Sequence, residues 1–191
     1  MARQLLNYHA ELAGTSSERT ARLLSIREAM IADNMAYMIS RECGRRKVFA
    51  FAHNSHLQRG KTQWQLGPDL LTWWPVGSHL NALFGPCYAV IDSAFGVSDA
   101  NGIGRPEAGT LEARLTAAQG PVRFILTHNG RGLPAAEIAA LPIHSGSVTN
   151  STYLTPLNPQ SFTDFDWLVV LDSTAYSRGG PPLEPWDAEP E

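Results

Sequence analysis

Two histidines stand three residues apart in Ala52-His53-Asn54-Ser55-His56. Imidazole titrates near neutral pH, so each ring can take a proton from water or return one to a leaving group. The run before them, Val48-Phe49-Ala50-Phe51, is short, aromatic and β-branched. Gly44-Arg45-Arg46-Lys47 bounds it on one side and Asn54-Ser55 on the other, a pattern that predicts a buried strand over 48–51. Both rings would then leave the carboxyl end of a strand, where α/β folds place catalytic groups. The plainer alternative is that His53 caps the strand end through a backbone hydrogen bond while His56 is solvated. His-x-x-His spacing can also seat two imidazoles on one ion, but a zinc site needs three or four ligands. His79, Asp92 and His128 have no pattern that would supply the others, so neither a metal nor any other cofactor is expected.

Other chemistries have less to stand on. There is no G-x-S-x-G elbow, and neither cysteine neighbours a histidine, so a serine or cysteine nucleophile is not supported. Cys43 and Cys87 form no CxxC pair and read as free thiols, with Cys87 inside a buried strand. Gly102-Ile103-Gly104 lacks the spacing of a phosphate loop. Arg59 reads as a solvated loop charge, and His128 as part of the turn signalled by Asn129-Gly130. Arg27 and Asn34 lie seven apart on a predicted helix and share a face with Met30 and Ile31. A cation on such a face needs a partner, unless the face is a solvated polar stripe. Trp64, Trp73 and Trp74 could wall a large apolar substrate or fill core under a long loop; both readings stay open.

The elements that must position these groups follow from periodicity. Residues 2–12 have helical composition. Thr15 and Glu18 then form a capping box opening a long helix to about Glu42, with Leu23, Ile26, Met30, Tyr37 and Met38 at helical spacing. Gly44 closes it. After the histidines comes a loop through Trp64, Gly67 and Trp73 to Pro75, then a short helix over 78–84. Strands are predicted over 87–91, 122–127 and 166–172. Between the first two lie a glycine-rich loop over 95–109 and a helix over 110–118, and a further helix is predicted over 134–140. Strands alternating with helices give an α/β class, a sheet flanked by helices.

The chain has 191 residues, 43% hydrophobic and 17% charged, enough for one sizeable core over 1–176. Residues 177–191 are Pro/Gly-rich and then acidic, a composition of disorder. A net charge of −3 argues against a general nucleic-acid binder. No apolar run reaches the ~20 residues that span a bilayer, and the amino terminus lacks the apolar core of a signal peptide. A cytoplasmic protein is expected.

Four blocks together resemble the erythromycin esterase family, which includes succinoglycan-biosynthesis-like proteins. Arg27-Glu28-Ala29-Met30-Ile31-Ala32-Asp33-Asn34 is similar to its R-[DE]-x-x-M-A-x-N helix, and residues 47–56 to its K-V-x-x-[WF]-A-H-N-x-H segment. Pro75-Val76-Gly77-Ser78-His79-Leu80 resembles an M-G-x-x-L helix start, and residues 165–172 the closing F-D-x-x-[IV]-[FV]-[IL]-D strand. The resemblance implies hydrolysis of ester or lactone bonds, macrolides among them, by water without a required metal. His53 and His56 would be the catalytic groups, acting as acid/base or on the oxyanion. Arg27, Asn34, Asn54, Trp73 and Trp74 would face substrate. The family's amino-terminal half carries a G-E-x-x-H-G motif whose Glu and His are thought to activate the water, and this chain has no such motif. The resemblance therefore implies a carboxyl-terminal half of the fold. It would be completed by a separate chain or by self-association, or would survive as a catalytically silent remnant or binding subunit.

Overall fold

A computed structural model describes residues 2–12, 18–42, 45–98, 102–117, 120–127, 140–142, 144 and 157–174. Helix α1 (Ala2–Leu12) packs against α2 (Glu18–Glu42), whose 25 residues contain neither Gly nor Pro. The expected capping residue Thr15 and the terminator Gly44 lie outside the described residues. Helix α2 buries only Glu28 and Ala32, one helical turn apart. Ala32 packs with Val76 and Leu80 of α4 (Val76–Phe84), and Met35, Phe84 and Tyr88 close around them. Tyr37 and Met38, expected on the inward stripe, are exposed.

The segment expected to be a buried strand is not one. Residues 46–53 form neither helix nor strand, no described strand pairs with them, and every residue from 45 to 53 is exposed. Phe49 is 87% and Phe51 91% accessible. The physical reason is the absence of neighbours: an apolar run becomes a buried strand only when other strands take its backbone and other elements cover its faces. Directly after it, α3 (Asn54–Leu57) forms a single helical turn.

The loop expected between the histidines and the 78–84 helix is instead a hairpin. Strands β1 (Thr62–Leu66) and β2 (Asp69–Trp73) pair antiparallel across Gly67-Pro68. Gly67 has φ +58°, as the first central residue of such a tight turn requires, and Pro68 suits the negative φ of the second. Strand β2 packs against α2 and buries Leu71 and Trp73.

The second sheet has order β3-β5-β4, with β3 (Ile91–Val97) parallel and β4 (Val122–Leu126) antiparallel to the central β5 (Trp167–Ser173). Alternation places Leu168 and Val170 wholly inside. Helix α5 (Leu111–Thr116), capped by the Thr110 side chain on the Ala113 amide, packs on β3 and β5. Helix α6 (Ser161–Asp164) leads into β5. Val90, Leu111, Leu157, Phe162, Phe165 and Leu168 form the main core.

Strand β3 begins later than the sequence predicts. Gly85–Cys87 form a 3-10 turn containing Pro86, so Cys87 is an exposed free thiol rather than a buried strand residue. The first residues of the expected glycine-rich loop belong to β3, where Gly96 leaves room for the Asp172 carbonyl and the Thr116 side chain. Cys43, His128, most of the helix expected over 134–140 and the 177–191 tail lie outside the described residues. No described helix is long and apolar enough to cross a membrane.

Candidate active site

His53 precedes α3 and His56 lies within it, so the two rings are held by different neighbours. His53 is the N-cap: its Nδ1 accepts the Ser55 backbone N–H at 3.2 Å and lies 2.9 Å from the Ser55 hydroxyl. It is exposed. The expected backbone capping by His53 is therefore real, but it caps a helix rather than a strand.

His56 is not simply solvated. Its Nδ1 sits 2.8 and 2.9 Å from the two carboxylate oxygens of Glu28, which comes from α2 and is wholly buried. Glu28 also accepts Arg27 Nη2 at 3.0 Å and the Val76 backbone N–H at 3.1 Å. One carboxylate thus ties α2, α3 and the first turn of α4 together. Burial works to raise the Glu28 carboxyl, but the hydrogen bonds from His56 and Arg27, the His56 charge and the Val76 amide outweigh it. Its pKa is lowered, and the group is ionised at neutral pH.

The turn carrying the histidines is fixed from two further sides. Asn54 donates to the Ser93 carbonyl at 2.9 Å and accepts the Ser93 amide at 3.3 Å, so its side chain pairs with the β3 backbone, which no other described strand than β5 meets. Gly77 lets α4 approach the carbonyls of Leu57 and Gln58, and a Cβ there would overlap both. Tyr88 Oη donates to Leu57 O at 2.5 Å.

Arg59 departs most from its expected role. It is mostly buried and donates to Asn81 Oδ1, Asp164 O, Tyr88 O and Asp166 Oδ2 at 2.7–3.1 Å. A planar guanidinium satisfies several acceptors at once, which is why it suits the junction of the α3 loop, α4 and the start of β5. Loop position gave no sign of these partners, because they lie up to 107 residues away in sequence.

The remaining candidates are scattered. Arg27 is half-exposed and meets Glu28 on its own helix, so its acidic partner lies within this chain. Asn34 is exposed on α2. Trp73 is buried on β2, while Trp74 is half-exposed with the Lys61 ammonium 5.1 Å from its ring centre. Among the described residues no group of three metal-ligating side chains is close enough to hold an ion. Glu28, part of the Arg27–Asn34 helix motif, carries no assigned role in the sequence pattern, yet it is the residue that joins His56 to α4. The available signal was an acid at i, i+4 and i+7 spacing with Ala32 and Met35 on the packed stripe.

Glu28 thus holds the last imidazole of the A-H-N-x-H segment, and His53 caps the turn at its amino end. The sequence matches the family model for erythromycin esterase over residues 1–174. The chain belongs to the erythromycin esterase family. Membership supports a hydrolase-like function in general. A solved protein of Bacillus cereus superposes with a TM-score of 0.58 at 13% identity, over 90% of this chain and 43% of that one. It supports the mixed α/β fold, and the chain spans less than half of its length. No curated protein matches the sequence.

Proposed function

We propose that this esterase-family chain supplies the histidine-bearing part of a hydrolase that cleaves ester or lactone bonds by His-assisted attack of water. The observation that carries the reading is the His56 imidazole held by the buried, ionised Glu28 in a member of that family. A carboxylate behind an imidazole fixes its orientation and stabilises the imidazolium that forms when it takes a proton. His53 beside it is the second reacting group. Arg27, Asn34, Asn54, Trp73 and Trp74 are the proposed substrate neighbours; Trp74, half-exposed, would offer an apolar ring to a macrolide-sized substrate. Macrolide cleavage would bring antibiotic resistance with it. The route uses no cofactor or metal, and its place is the cytoplasm.

The site is completed by a polypeptide segment outside these 191 residues. Two observations support this: the apolar run ending at His53 is uncovered on both faces, and 43% coverage leaves more than half of the Bacillus cereus protein without a counterpart here. Such a segment would carry the G-E-x-x-H-G groups.

The test is to mix the chain with a polypeptide bearing G-E-x-x-H-G, encoded upstream or taken from a longer family member, and to follow p-nitrophenyl acetate and erythromycin hydrolysis. Activity in the mixture that is lost in His56→Ala and in His53→Ala supports the reading. Activity that survives both variants overturns the assignment to these histidines. No activity in any mixture, with strong binding of a hydrophobic dye to the chain alone, would favour a silent remnant.

A further inference from the structure

We infer that the outer face of the β3-β5-β4 sheet is the seat for an apolar helix of the completing polypeptide. That such a polypeptide exists rests on the hydrolase reading above; the face itself rests on register and exposure. Strand alternation sends Leu168 and Val170 to the inner side, where α5 supplies Leu111 and Leu115 to the core. The opposite side carries Ile91, Ser93 and Phe95 of β3, the odd-numbered residues from Trp167 to Leu171 of β5, and the even-numbered residues from Val122 to Leu126 of β4. Within this three-stranded area Ser93 is the only polar residue. Phe124 is 66% accessible, and Ile91, Val122 and Trp167 are also exposed. Apolar side chains gathered on one face in this way mark a contact surface, unlike single apolar residues scattered over an exterior.

The width and chemistry of the face select its occupant. Parallel pairs such as β3 and β5 are covered on both faces in α/β folds, and the usual cover is a helix. Three strands at about 4.8 Å spacing measure about 10 Å between outer axes, the width of one helix with its side chains. A small-molecule site would be concave, with polar groups converging on the ligand. A membrane surface would call for cations around the apolar area. Instead, Asp166 and Asp172 flank the apolar stretch of β5, and each already has its guanidinium, from Arg59 and Arg123. An apolar centre inside a paired polar rim is the anatomy of a protein–protein contact.

The face also runs into the histidine segment. Ser93 is the residue whose backbone holds the Asn54 side chain, so the His53–His56 turn stands at the β3 border of the apolar area. The exposed rings of Phe49 and Phe51 lead into that same turn. A helix laid across the face therefore brings its polypeptide to the edge where both histidines stand. More than half of the Bacillus cereus protein has no counterpart in this chain, length enough for such a helix and for a segment that meets residues 46–53.

The experiment co-expresses the full chain with a tagged polypeptide bearing G-E-x-x-H-G, taken from a longer family member, and purifies on the tag. Hydroxyl-radical footprinting then reads which side chains the partner covers. Phe124, Trp167 and Val122 should lose reactivity in the complex, and the partner's protected residues should recur at i, i+3, i+4 and i+7. Phe124→Lys, at a position exposed enough to leave the urea melt of the chain unchanged, should weaken the complex by about 30-fold or more. Leu83→Lys on α4, similarly exposed, should not. No complex, unchanged reactivity of Phe124 within it, or equal weakening by both substitutions would overturn the inference. Self-association of the chain, or binding to phosphatidylcholine vesicles, that Phe124→Lys abolishes would overturn it too, by giving the face to a second copy or to lipid. Complex formation needs no turnover. A complex that covers Phe124 yet hydrolyses nothing would sink the hydrolase reading and leave the docking face in place.

Discussion

Two apolar runs with nearly the same grammar meet opposite fates in this chain. Leu168-Val169-Val170-Leu171 lies at the centre of a sheet, paired on both edges, with Leu168 and Val170 fully buried. Val48-Phe49-Ala50-Phe51 pairs with no described strand, and its valine and both phenylalanines are exposed. Hydrophobicity makes a run eligible for burial; neighbours decide whether it is buried. The lesson extends to function, because His53 ends the uncovered run while the carboxylate that holds His56 comes from the packed side of α2.

The sharpest way to break this comparison is to delete the same kind of contact in both regions. Leu168→Ala should destabilise the chain by about 3 kcal/mol, the cost of a cavity among core side chains. Phe51→Ala should change stability by less than about 0.5 kcal/mol, as an exposed position does. Urea melts of the two variants check both; equal losses would mean that the two runs are equally packed.

Buried acids give a second, pH-dependent contrast. Burial pushes the Asp92 carboxyl on β3 up to about 7, with the Glu112 and Asp164 charges adding to it and the Ser93 backbone hydrogen bond opposing. Between an unfolded value near 3.8 and about 7, the unfolded chain releases a proton that the folded chain keeps. Stability contributed by the neutral acid is whole below that window and is lost as pH rises through it. Asp92→Asn should therefore gain about 4 kcal/mol on wild type at pH 8 and nothing at pH 3.5. Thermal melts across that range would show it, and parallel curves would contradict it.

Glu28 has the opposite sign. Its lowered pKa makes its contribution present above the unfolded value of 4.5 and lost as pH falls through the folded one. Glu28→Gln should cost about 1–2 kcal/mol at pH 7, with the deficit shrinking below pH 4.5. A deficit independent of pH would mean that the carboxylate charge is not what joins α2, α3 and α4.

How much of this was legible in the sequence follows the same divide. Strands β4 and β5, and helices α2, α4 and α5, are legible in the sequence because the spacing of their apolar residues and the Gly and Pro that bound them are local signals. The hairpin takes the place of the loop expected there, because five-residue strands of mixed polarity around Gly67-Pro68 carry too little alternation to stand out in the sequence. The histidines were found by residue type and spacing alone. Their partners were not: Glu28 is 28 residues from His56, and the Arg59 acceptors are scattered from Asn81 to Asp166. Such contacts exist only once the chain has folded. The strand expected over 48–51 does not form for the converse reason, since its pattern presumes neighbours that the described residues do not provide.

Hydrogen–deuterium exchange of backbone amides in the isolated chain tests the central claim most directly. The account predicts that residues 46–53 exchange almost as fast as an unstructured peptide while Trp167–Ser173 stay protected, and that a completing polypeptide slows 46–53 alone. Protection of 46–53 comparable to that of β5 in the isolated chain would contradict it.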